Sequence, residues 1–296
     1  MTPMTRGRFI DLATQQWVRA TGRLIDVGSN RWLDGPVGDP DVIGAEWIGR
    51  EAARIGGRVA TSTPNDGLLE SMTALKGEAF DPSTLAPEIV EFYEHTMRWR
   101  LELWFQWCPV ALPFGWVISS LFARRLQQLS LPLRPLDSAH GIDSEIVKVV
   151  DDSGHQLGAA WLRTLRSTGE TVYSGWYGTA TLPERSQPSV RVVFPLPNGS
   201  VTVFLRPEVT ERDGLRLVSP IEPFGGDGAY LVVRGHGTMA WVRRVPIVER
   251  FELSVDEDRH LRTDHSLRLW SLPVIDLHYR LDPVAVPPPA IGFARG

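Results

Sequence analysis

The stretch VRVVFPLPNGSVTVFLR, residues 190–206, decides the fold. Asn198-Gly199 at its centre is the strongest two-residue hairpin signal that a sequence carries. After it, Val201, Val203 and Leu205 fall on one face of an extended chain, and Thr202, Phe204 and Arg206 on the other. The pattern predicts two antiparallel strands that bury one face.

The same grammar extends outward in both directions. Alternating segments at 144–150, 156–165, 171–182, 215–219, 229–234, 240–245, 248–255, 261–270 and 274–281 are separated by short polar turns such as Asp151-Asp152-Ser153-Gly154. Roughly ten strands in sequential order predict an antiparallel meander, either a barrel or a strongly curved sheet. Closure hides sheet edges, which favours the barrel.

The first half reads differently. Phe9, Ile10, Leu12, Ala13, Trp17, Val18, Ala20, Leu24 and Ile25 recur at helical spacing. Asp39-Pro40-Asp41 predicts a capped second helix running to Ile55, ended by Gly56-Gly57. Residues 58–82 read as an ordered loop with one helical turn near 68–75. From Pro87, the residues Ile89, Phe92, Tyr93, Met97, Arg100, Leu101 and Trp104 trace one helical face, which predicts a third helix reaching Cys108. A fourth is expected from Trp116 to Leu129, and the extended residues 131–135 mark a boundary between the halves.

Residues 103–123 contain no charge, and this length of 21 matches the span of a bilayer. Pro109 and Pro113-Phe114-Gly115 would break a helix inside lipid, where unsatisfied backbone groups are costly. A buried helix–break–helix element is therefore favoured. A membrane-surface element carrying Trp104, Trp107 and Trp116 is the next alternative, and true spanning the last.

Composition bounds the function. The chain has 296 residues, net charge −4 and 22% charged residues, with no electrostatic footprint for nucleic acid. Its single cysteine, Cys108, excludes an internal disulfide and a cysteine-built zinc site, which suits a cytoplasmic protein. Residues 1–11 lack the apolar core of a signal peptide. Eleven tryptophans suit a bulky core, an interface or an apolar pocket.

No complete catalytic, metal or nucleotide motif is present. Glu91 and His95 stand four apart, the spacing that can orient a general base or bind a metal, yet an exposed supporting pair, like Glu94 with Arg98, explains them as simply. The cluster Asp137 to Glu145 is a turn with the same ambiguity. Asp264-His265 and His278-Tyr279 lie on two C-terminal strand segments and can meet across the sheet, but Asp264 and His265 must face opposite ways. Tyr173 and Tyr177 share a face with Gly175 between them, leaving room beneath two aromatic walls.

Four stretches carry a resemblance: Glu91-Phe92-Tyr93-Glu94-His95-Thr96, Leu126-Gln127-Gln128-Leu129 with Pro135-Leu136-Asp137, Tyr173-Ser174-Gly175, and Arg262-Thr263-Asp264-His265. Together they resemble a family of uncharacterised proteins from high-GC bacteria, over about residues 65–281. The resemblance implies an intact natural domain and brings no activity, cofactor or catalytic residue with it.

The expected protein is α+β: a helical region at 1–135, an antiparallel β-barrel or curved sheet at 136–282, and a proline-rich tail at 283–296. The leading expected function is binding of a hydrophobic small molecule or lipid between barrel and helices, through Trp99, Trp107, Tyr173, Tyr177 and His265. The alternatives are a cofactor-independent isomerase or cyclase using Glu91, Glu94, His95, Tyr173 and Asp264, and a peripheral membrane-associated protein. Neither a metal nor a cofactor is expected, and composition leaves the oligomeric state open.

Overall fold

A computed structural model describes residues 6–38, 44–107, 142–166, 169, 171–183 and 185–284. Eleven strands occupy the C-terminal half. They are β4 (Ile142–Val150), β5 (Gln156–Leu165), β6 (Thr171–Ala180), β7 (Ser189–Leu196), β8 (Gly199–Val209), β9 (Leu215–Ser219), β10 (Gly228–Arg234), β11 (Met239–Val245), β12 (Ile247–Val255), β13 (Leu261–Leu269) and β14 (Leu272–Pro283). Alternation and turn residues had marked every one of them.

Among the described residues the N-terminal half supplies three α-helices, α1 (Arg6–Thr21), α2 (Glu46–Arg54) and α3 (Pro87–Glu94). It also supplies three strands that the helical expectation for 1–135 lacked: β1 (Arg23–Asp26), β2 (Arg58–Val59) and β3 (Trp99–Trp107). The molecule is thus mostly antiparallel sheet with short helices.

β3 is the main correction. The helix from Pro87 ends at Glu94, where His95 leaves helical geometry at φ −140° and Thr96 Oγ1 donates to the Phe92 carbonyl at 2.6 Å. Beyond it, Trp99, Leu101, Leu103, Phe105 and Trp107 alternate with Arg100, Glu102 and Gln106, Trp104 being the one apolar residue on the second face, a period of two that the helical reading overran. This segment pairs along β14 from Pro283↔Trp99 to Ile275↔Trp107, giving that strand's backbone groups the partners an edge would lack. The expected helix–break–helix element therefore begins as a strand. The rest of it, the expected helix at 116–129, Asp137 to His140 and most of the tail lie outside the described residues.

The sheet order is β2-β4-β5-β6-β7-β8-β9-β12-β13-β14-β3, and it forks at β8. The first half of β8 pairs with β10, which continues to β11 and β1, while its second half pairs with β9. The fork explains Gly199. The two-residue turn is Pro197-Asn198, with Asn198 at φ +59°, and Gly199 already pairs with Leu196. A Cβ on Gly199 would sit 2.0 Å from the Val232 carbonyl oxygen, so glycine is required there by the close approach of β10.

The main branch curls on itself. Arg163 on β5 and Tyr279 on β14 are seven strands apart in the order, about 34 Å on a flat sheet. Their guanidinium and ring lie 5.9 Å apart. Met97 Sδ, just before β3, also accepts a bond from Ile146 N of β4 at 3.2 Å. No ladder joins β3 to β4 among the described residues, so the sheet is strongly curved and not closed.

Its two faces have separate cores. The concave face gathers Trp161, Val192, Phe194, Val203, Leu205 and Leu217 with Ile89, Phe92 and Tyr93 of α3, which covers the interior. On the convex face α2 packs Trp47, Ile48 and Ala52 against Val149, Ala160 and Trp176, while Trp32 and Leu33 cover Phe204 and Tyr230.

Candidate functional site in the sheet interior

Curvature leaves a cavity of about 130 Å³ on the concave face. Most of its wall is aliphatic and aromatic, from β5 to β9, β12 to β14 and α3. Burial of valine and leucine there follows from the period-two patterning. The informative residues are the polar ones on the same face: Arg163, Tyr173, Tyr177, Glu249, Thr263, His265 and Tyr279.

Alternation places each of them. Trp161 and Arg163 share the inner face of β5, and Glu249, Phe251 and Leu253 that of β12. On β13 His265 points inward while Asp264 points out. Phe251 and His265 are register partners, and their rings stack at 3.7 Å and 17°. Glu249 Oε2 lies 3.2 Å from His265 Nε2, with both side chains more than nine-tenths buried. Neither ring nitrogen of His265 makes a well-directed hydrogen bond.

Arg163 faces this pair from across the interior. Its guanidinium lies 3.9 Å from the centre of the Trp161 ring, 5.1 Å from that of Tyr173 and 5.9 Å from that of Tyr279. No carboxylate of the described residues forms an ion pair with it, and its Nε is buried without a partner. The Tyr173 and Tyr177 hydroxyls bond each other. Burial pushes the Tyr177 phenol up to about 12, and raises Tyr93, Tyr173 and Tyr279 as well. These groups stay neutral donors at ordinary pH.

The expected site residues divide sharply. Tyr173, Tyr177 and His265 line the cavity. The room expected over Gly175 is taken, because a Cβ there would lie 3.2 Å from the Phe194 ring and from the Tyr173 hydroxyl. Trp99 is buried against Phe92 at 6.3 Å, away from the lining. The Trp107 side chain lies outside the described residues.

The expected catalytic acids do not meet. Glu91 is exposed and reaches Arg98 at 3.5 Å. Glu94 accepts from Ser71 Oγ at 3.0 Å and from Met72 N at 2.7 Å, which ties a loop to α3. His95 donates to the Asn65 carbonyl at 2.9 Å. Asp264 pairs with His278 at 2.5 Å on the outer face, the cross-strand meeting that their spacing allowed.

Sequence reasoning missed Arg163 and Glu249, and named Tyr279 only beside His278 as a cross-strand neighbour of Asp264-His265, not as a cavity residue. Each is a polar residue at an inward position of an otherwise apolar alternation, and that was the available signal. Among the described residues no three histidine, cysteine or carboxylate side chains converge as a metal site.

No family model matches the chain, and no solved structure does. The chain is similar to a protein of Bacillus subtilis (strain 168) named "Uncharacterized membrane protein YndJ", with 27% identity over 232 residues. The match covers 75% of this chain and 39% of that protein, so the chain spans well under half of its relative's length. Among the described residues no helix is long and apolar enough to cross a membrane.

Proposed function

We propose that the chain binds a small amphiphile in the sheet interior, its apolar body against the aliphatic and aromatic wall and its polar head at Arg163. The carrying observation is the buried, unpartnered Nε of Arg163 facing a cavity lined mostly by apolar groups and neutral phenols, with the Glu249–His265 pair and Thr263 on the same wall. A buried donor without a partner is costly, and a ligand acceptor satisfies it. The volume sets the size: about 150 Å³ holds benzene in an engineered apolar cavity, so about 130 Å³ suits one ring or a short chain.

Native mass spectrometry of the purified protein, with solvent extraction and titration by benzoate and toluene, tests this. A stoichiometric organic ligand or saturable probe binding is expected. Absence of both would end the proposal.

The Glu249–His265 pair favours a second reading, a cofactor-independent isomerase or cyclase acting on the same class of compound. A carboxylate beside an imidazole in a dry pocket can take and return a proton. Isomer analysis of the extracted ligand after incubation with native and Glu249→Gln protein separates binding from turnover. As to location, similarity to a protein named as a membrane protein supports work at a membrane.

A further inference from the structure

A second concavity, a groove of about 900 Å³, opens between α1 and the β13–β14 hairpin. Its walls include Trp17, Phe224, Val242 and Trp270, and three arginines, Arg23, Arg243 and Arg244. None of its lining residues is acidic.

The arginines are held by neutral groups. Arg23 lies over the Phe224 ring at 4.6 Å and Arg243 over the Trp17 ring at 5.6 Å. Arg244 donates to the carbonyls of Pro220 at 2.7 Å and Pro223 at 2.8 Å. None forms an ion pair among the described residues. In a chain of net charge −4 this is a local excess of positive charge.

Trp270 adds a second, independent observation. It occupies the tip of the two-residue turn between β13 and β14 at φ +52°, a conformation that suits glycine or asparagine and strains a bulky side chain. Its side chain nevertheless projects into solvent, 62% exposed, so packing does not explain the tryptophan. Trp17, Ile221 and Leu272 are also exposed, the first two on the same groove.

We infer that this face rests on an anionic lipid surface, with Trp17 and Trp270 at the headgroup level and Arg23 and Arg243 toward the phosphates. Indoles favour the membrane–water interface, and arginines are drawn to anionic leaflets. A lipid surface supplies apolar depth and negative charge together along the whole groove. The inference rests on the membrane reading above, names its face, and is independent of the cavity.

The test is flotation of the full chain with vesicles of phosphatidylcholine alone or mixed with phosphatidylserine. The native chain should float with the anionic vesicles and be released by salt. Arg23→Gln and Arg243→Gln should each weaken binding about fivefold. Trp270→Gly should weaken it about tenfold, the worth of burying about half of its exposed indole. Because glycine relieves the strained turn, that variant should melt no lower than the native chain, which separates lost binding from lost fold.

A native chain that floats with neither vesicle overturns this proposal and the membrane reading together, whereas equal flotation with both overturns the anionic face and leaves the membrane reading standing. Anionic binding left unchanged by all three substitutions overturns the face alone. Concentration-dependent dimers abolished by Trp270→Gly would mean that a second copy covers the groove, and would also overturn it.

Discussion

Arg163→Met isolates the group on which the proposed binding rests. On the native side, the substitution forfeits a guanidinium–indole contact at 3.9 Å and two longer ring contacts, together worth about 1–2 kcal/mol. Against this, it removes a charge from the interior, and methionine keeps the stem and a sulfur that packs well on the same rings. These terms nearly cancel, so stability should change by no more than about 1 kcal/mol. Binding of an anionic probe should change far more. A charge-assisted hydrogen bond contributes about 1.5–3 kcal/mol, which is about 10- to 100-fold in Kd. Benzoate and toluene share a one-ring body, so titrating both into native and variant protein, followed by calorimetry, separates head from body. Benzoate affinity should fall and toluene affinity should hold. Unchanged benzoate affinity, or an equal loss for toluene, refutes the role given to Arg163.

All five tyrosines have raised phenol pKa values, with burial the largest cause, so an absorbance titration should show no phenolate near the ordinary value of about 10. A raised acid is stabilising below its unfolded value and loses that contribution as pH rises through its folded one. Alkaline unfolding by circular dichroism should therefore accompany ionisation towards about 12, the value for Tyr177, and phenols titrating normally in a folded chain would contradict this. Asp66 is fully buried with Lys148 Nζ at 2.8 Å and Thr63 Oγ1 at 2.7 Å; burial raises its pKa, but these partners together pull it lower. Asp66→Asn should cost about 2–3 kcal/mol in urea unfolding at neutral pH, and the gap to the native chain should close as pH falls through the depressed Asp66 value. Gly199→Ala should cost about 3 kcal/mol through collision with the Val232 carbonyl, against the ~0.5–1 kcal/mol of a glycine needed only for chain freedom, and a small cost would disprove the fork at β8.

What sequence alone determined here is local. Period-two alternation and turn chemistry marked β4 to β14, and the same rule put Asp264 and His265 on opposite faces, because side-chain direction along a strand depends only on neighbouring residues. The strand at Trp99–Trp107 was legible by that rule too, but its aromatics also fitted a helical face, and pairing with β14 decided between them. The strand segments predicted a barrel or a curved sheet; the structure shows strong curvature, with no ladder joining β3 to β4 among the described residues. The candidate site belongs to the tertiary structure. Arg163 on β5, Glu249 on β12, His265 on β13 and Tyr279 on β14 meet only because the sheet curls, bringing strands seven positions apart within ring contact. Curvature arises from twist summed over many strands and from the fork at β8, and no short window of sequence contains that sum. A polar residue at an inward strand position was visible in the sequence; which polar residues it would face across the interior was not.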